Sequence, residues 1–150
     1  MHYMTTLVNM PLVREQSGAQ LKTPSEVHTL CGDLTGLAQE CFHVLSLSTR
    51  NRLLNRHMVS MGLVDASLVH PREVFRQAIL DSATACILVH NHPGRDVTPS
   101  AEDLRITRQL VEAGKIIDIR VLDHVIVARP ATGDGRGWLS MREDGLVEFG

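Results

Sequence analysis

The sequence predicts a single α/β domain in which helices pack on a mixed β-sheet. Three observations carry that expectation. Helix-periodic and strand-like segments alternate along the chain. The run Ala85 to Val89 is continuously apolar, as expected of a central strand buried on both faces. The length, 150 residues with 43% hydrophobic and 3% aromatic content, suits one domain with an aliphatic core.

The elements follow in order. A short apolar piece from Leu7 to Val13 reads as an added strand within an N-terminal extension, residues 1–23, and Gln16 to Thr23 reads as a loop. Thr23-Pro24-Ser25-Glu26 opens a helix expected to run to about Leu37, with proline in its first turn. Cys41 to Leu47 and Leu53 to Ser60 are strand-like, and the polar turn Thr49 to Arg52 joins them as a hairpin. His70-Pro71-Arg72-Glu73 starts a second helix, with Val74, Phe75, Ala78 and Ile79 on one face. The apolar strand from Ala85 ends on His90, and Pro93 to Pro99 is a loop. Ser100 starts a third helix, for which Gly114 is the expected stop. A strand lies between Ile116 and Ala128, Pro130 to Gly137 is a flexible turn, and Trp138 to Met141 with Leu146 to Phe149 suggest a closing hairpin.

The formal net charge is −2 and the basic residues are scattered, so there is no strong nucleic-acid signature. Three cysteines, Cys31, Cys41 and Cys86, with no CxxC pair, argue for reduced buried thiols over a disulfide framework or a thiolate zinc site. The N-terminus lacks signal-peptide character and no segment is long enough to span a membrane, so the expected location is cytoplasmic.

The informative segment is His90-Asn91-His92-Pro93 followed by Ser100-Ala101-Glu102-Asp103. Alternate residues of a strand share a face, so His90 and His92 can grip one ion and Asn91 should point away. The seven-residue loop is long enough to fold Asp103, in the first turn of the next helix, back over the strand end. Two histidines and one carboxylate leave a fourth zinc position open, which is the pattern of a catalytic site. Taken alone, His-x-His is weak, and Ser100-x-x-Asp103 is equally a helix capping box. Together they are harder to dismiss, because a buried strand ending in two histidines must supply them with partners.

This spacing resembles the JAMM (MPN+) metalloprotease motif. Residues 24–149 are more similar to the RadC-like branch of that superfamily, through Gln39-Glu40-Cys41-Phe42, Leu47-Ser48-Thr49-Arg50-Asn51, His70-Pro71-Arg72-Glu73-Val74-Phe75, His90-Asn91-His92-Pro93, Leu122-Asp123-His124-Val125-Ile126 and Trp138 to Gly145. The resemblance implies an MPN/JAB (cytidine-deaminase-like) fold for residues 24–150. It also implies one Zn2+ per chain on His90, His92 and Asp103, with Glu40 as general base and Ser100 stabilising the oxyanion. The implied reaction is hydrolysis of a peptide or isopeptide amide in an unidentified peptide or protein substrate. Three features depart from the branch, one of them a longer stretch from Ala131 to Gly137. Full-length RadC proteins carry a preceding helix-hairpin-helix domain for which these 150 residues leave no room, and the loop reads Pro93-Gly94-Arg95-Asp96 in place of Ser-Gly after the proline.

Other polar residues read as structural. His124 lies in an apolar strand and is expected to be a satisfied structural histidine. Asp123 is expected to anchor a neighbouring helix or loop, and His43 and His57 to be half-exposed. Arg72 reads as an ion-pair or capping residue. An HNH nuclease is disfavoured, since that motif spans a far longer segment and needs a basic groove. An amidohydrolase barrel takes about 250 residues. The serious rival is a non-catalytic zinc-binding accessory protein of the RadC type, linked to DNA repair. Exposed strand edges make a homodimer conceivable.

Overall fold

The computed structural model describes residues 18–62, 69–130 and 135–150. The expected strand at Leu7 to Val13 and part of the turn after Pro130 lie outside them. The described elements are α1 (Pro24–Leu30), β1 (Cys41–Leu47), β2 (Leu53–Met61), α2 (Pro71–Leu80), β3 (Ala85–Asn91), α3 (Ala101–Ile117), β4 (Arg120–Val127) and β5 (Trp138–Ser140). The strands form one mixed sheet in the order β2-β1-β3-β4-β5, in which β3–β4 is the parallel pair. The expected α/β domain, with helices flanking a mixed sheet, is therefore present.

Strand alternation divides the core between the two faces. Phe42, Val44, Cys86, Leu88 and Ile126 pack with Val74 and Phe75 of α2 and Ile106 and Leu110 of α3. Leu45, Leu47, Ile87, Val89 and Val125 pack on the other face with Val27 of α1 and Leu34. All seven residues of β3 are buried, as its unbroken apolar run predicts. His90 shares the face of Cys86 and Leu88, so its side chain points toward the α3 layer.

Several boundaries differ from the sequence reading. Thr23 and Glu26 form the expected capping box, but α1 ends at Leu30 and a 3₁₀ turn over Gly32–Gly36 replaces the rest of the expected helix. The break falls at glycine, and Asp33 in that turn is drawn into a two-pronged pair with the Arg56 guanidinium at 3.0 and 2.9 Å. Gly114 does not stop α3. The helix continues to Ile117 and ends where Asp118 takes a left-handed conformation. Gly114 is needed for close packing, since a Cβ there would lie 2.4 Å from the Ile119 carbonyl oxygen and 3.3 Å from the Phe75 ring.

Part of the Gln16 to Thr23 loop is also ordered against the sheet, through a bridge between Gln20 and Arg52. The closing hairpin is not formed. β5 pairs with β4, and the chain then turns so that Val147 is buried among residues that include Val111 and Leu110 of α3. All three cysteines are free and buried. Among the described residues, no helix is long and apolar enough to cross a membrane.

Candidate metal centre

Topology brings three chain segments to one end of the sheet. β3 delivers His90 and His92 at its C-terminal end. The crossover to parallel β4 runs through α3, so the first turn of α3 returns to that same end. β1 is antiparallel to β3 with Phe42 opposite His90; continuing that register by two residues places Glu40 opposite His92. His92 is held by its own N–H, which donates to Val127 O at 3.0 Å.

The side chains converge. His90 Nε2 and His92 Nε2 are 2.9 Å apart. Asp103 Oδ2 lies 3.6 Å from His90 Nε2 and 3.4 Å from His92 Nε2. Glu40 Oε1 is 3.7 Å from His92 Nε2. Glu40, His90 and His92 offer ligand atoms within 4.8 Å of one another, close enough to hold a metal ion. A tetrahedral ion about 2.0–2.1 Å from each donor spaces its ligand atoms about 3.3 Å apart. The three separations among His90, His92 and Asp103 bracket that value.

Local bonds explain why these side chains sit here. Ser100 Oγ accepts from Asp103 N at 3.0 Å, and Asp103 Oδ2 accepts from Ser100 N at 2.8 Å. The capping box is therefore real, and the same Asp103 carboxylate faces the two histidines; the two readings of Ser100-x-x-Asp103 coexist. The Pro93–Pro99 loop is shaped by an Asp96 carboxylate accepting from Thr98 N at 2.9 Å. Its Asp96 carbonyl lies 3.0 Å from His92 Nδ1. A carbonyl can only accept, so His92 Nδ1 carries a proton and the neutral ring presents a bare Nε2 to the cluster.

The electrostatics agree with this convergence. Burial alone would raise the Asp103 carboxyl, but the neighbouring His90 and His92 rings and the bond from the Ser100 N–H hold it well below the usual carboxylate range. Burial also disfavours a charged His92; its bonds to Asp103 and the Asp96 carbonyl outweigh that and raise it above its ordinary value. The cluster holds positive charge readily, as a cation-binding site must.

Asn91 points away from the cluster, as its place between the histidines predicts, and does specific work there. Its Oδ1 accepts from Cys41 N at 2.6 Å and its Nδ2 donates to Gln39 O at 2.9 Å. The two peptide groups flanking Glu40 are thus clamped by one side chain. Gly62 N adds a bond to Glu40 O at 2.8 Å.

His124 is the satisfied buried histidine expected, and it lies directly behind His90. Its ring is fully buried, bonded to His90 Nδ1 on one side and Thr107 Oγ1 on the other. Phe42 lies edge-on to His124 and stacks over His90. Sequence reasoning missed Thr107, although its position four residues after Asp103 puts both on one helix face. Asp123 does anchor a neighbouring segment, accepting from Ser140 Oγ at 2.5 Å and Arg142 N at 3.1 Å. His43 and His57 are partly buried, bonded to Arg56 and Asp81, and Arg72 pairs with Glu73.

A family model described as a RadC-like JAB domain matches residues 21–146. A UPF0758 protein of Caldanaerobacter subterraneus subsp. tengcongensis is 46% identical over 123 residues, 82% of this chain and 50% of that protein. A UPF0758 protein of Methanosarcina mazei is 41% identical over 135 residues, 89% of this chain and 56% of its own length. One from Pelobacter propionicus is 52% identical over 115 residues, 77% and 48% respectively. The chain spans about half the length of the curated relatives it matches, and their names state no activity. With a five-stranded mixed sheet, flanking helices and a cluster able to hold a metal ion among its described residues, the chain belongs to the RadC-like JAB domain family.

Proposed function

We propose that the chain is a zinc-dependent hydrolase of the JAMM type that cleaves a peptide or isopeptide amide bond. The observation that carries this reading is the convergence of His90 Nε2, His92 Nε2 and Asp103 Oδ2 within 3.6 Å, with a second carboxylate, Glu40, beside them. Two imidazole nitrogens and one carboxylate oxygen form a donor set that suits zinc. When bound, the ion supplies Lewis acidity and lowers the pKa of a coordinated water from about 15.7 to about 7.

The two carboxylates differ in a way that separates their roles. The Asp103 side chain is 11% exposed and fixed by the Ser100 N–H, which suits a ligand. The Glu40 side chain is 39% exposed and stands next to His92, on the side open to solvent and substrate. Glu40 Oε1 would take a proton from the attacking water and hand it to the leaving amine. Ser100 Oγ accepts from Asp103 N, which leaves its O–H free to donate to the developing oxyanion of the substrate.

The test is metal analysis of purified protein together with a cleavage screen on peptide and isopeptide substrates. His92→Ala is expected to lose both zinc and cleavage. Glu40→Gln is expected to keep zinc and lose cleavage. Protein with no affinity for added zinc would overturn the reading. Wild-type biological function surviving Glu40→Gln would instead favour the non-catalytic, DNA-repair-linked alternative.

A further inference from the structure

A chain of buried hydrogen bonds runs behind His90. His90 Nδ1 is 2.7 Å from His124 Nε2, and His124 Nδ1 is 2.6 Å from Thr107 Oγ1. Thr107 Oγ1 donates to the Asp103 carbonyl at 2.6 Å. His124 and Thr107 are fully buried and His90 is 4% exposed, so each proton in this chain has its place set by the protein.

The protons can be assigned in sequence. A backbone carbonyl only accepts, so the single Thr107 hydroxyl proton goes to Asp103 O. Thr107 Oγ1 then offers His124 a lone pair, and His124 Nδ1 must carry the ring proton. A neutral imidazole has one N–H, so His124 Nε2 is bare and accepts from His90 Nδ1. His90 is thereby the Nδ1–H tautomer, and its Nε2 is a lone pair facing His92 and Asp103. The reverse polarity fails at both ends. It would leave the Thr107 and Asp103 oxygens 2.6 Å apart with no proton between them. It would also leave His90 with its proton on Nε2, the atom that must face an ion.

We propose that Thr107 and His124 are positioning residues: they set the tautomer of His90 so that β3 presents a bare Nε2 to the metal ion. The proposal rests on the metal-site reading above and extends it to residues that touch neither ion nor substrate. Its consequence is that the lone pairs of His90 and His92, 2.9 Å apart and beside the Asp103 carboxylate, converge where a cation would bind. The relay also joins two ligands, since it begins on the backbone of Asp103 and ends on the ring of His90.

Long-range 1H–15N correlation spectra of the metal-free protein read the ring tautomers directly, and competition with a chromophoric chelator reads Zn2+ affinity. Wild type is expected to show Nδ1–H on both His90 and His124. Thr107→Val, which keeps the shape and removes the hydroxyl, is expected to move His124 to Nε2–H and weaken Zn2+ binding about 10–100-fold. Thr107→Ser is expected to preserve both properties. An Nε2–H tautomer on His124 in the wild type would overturn the proposal, as would unchanged affinity in folded Thr107→Val. If wild type takes up no Zn2+, the metal reading fails by itself and the spectra alone still decide the relay.

Discussion

Replacing Asn91 by alanine tests whether one side chain between the two histidines secures the opposite strand. The Cys41 N–H that donates to Asn91 Oδ1 is buried, so losing its acceptor leaves a donor with no water to turn to. That costs about 1–3 kcal/mol. Gln39 is exposed, so its carbonyl can be rehydrated and adds little. The void left by the truncated, fully buried side chain raises the total to about 2–4 kcal/mol. Urea unfolding reads this directly. Amide exchange at Cys41 is expected to accelerate beyond the global change. Zinc affinity should change little, because His90, His92 and Asp103 keep their bonds to His124, the Asp96 carbonyl and the Ser100 N–H. Cleavage should fall more than the affinity, because a misplacement of about 1 Å can cost about 100-fold in rate. A loss of stability below about 1 kcal/mol, or unaltered protection of Cys41 N–H, would refute the clamp.

Two further perturbations probe the frame. Gly114→Ala would normally stabilise a helix by about 1 kcal/mol. Here the new Cβ meets the Ile119 carbonyl oxygen at 2.4 Å, so thermal unfolding is expected to show a loss of about 1–3 kcal/mol, the sign opposite to propensity. Burial and the nearby Arg56 charge push His43 down from 6.5 to about 4. The folded state therefore favours neutral His43, and the associated stability is complete above about pH 6.5 and lost as pH falls toward about 4. The full shift corresponds to about 3 kcal/mol, reduced to about 1–2 kcal/mol because the group is only half buried. Urea midpoints measured across that window should fall more steeply for wild type than for His43→Gln; parallel curves would exclude this contribution.

The sheet was legible in the sequence where one physical signal dominated. The unbroken apolar run of β3 and the polar turn between β1 and β2 leave little choice of structure. The misread boundaries are places where tertiary contact outweighs local preference. Gly114 looks like a helix stop until the neighbouring chain that forbids a side chain there is known. The segment after Leu30 keeps a helical pattern, but Arg56, distant in sequence, captures Asp33 in a 3₁₀ turn. Leu146 to Phe149 carries strand-like alternation, yet Val147 is buried against the α3 layer. At the site, the residues within one loop of each other were found by spacing. Thr107 and the bond between His124 and His90 were not, because the relay depends on which residue of β4 lies behind β3.

The register between β1 and β3 links the clamp to the chemistry proposed for Glu40. Successive residues of a strand face opposite sides, so a slip of one residue would bring Gln39 or Cys41 opposite His92 and turn Glu40 to the wrong face. Hydrophobic pattern alone guards weakly against that slip, because β1 is buried on both faces apart from His43. Asn91 supplies the missing specificity. Its amide must meet a donor and an acceptor on the two peptide groups that flank Glu40, and the polarity of those groups reverses at the next position. A residue able only to donate, or only to accept, would satisfy one contact and oppose the other. The asparagine between the two histidines is therefore explained by the strand opposite: it fixes the side of the sheet on which the glutamate emerges.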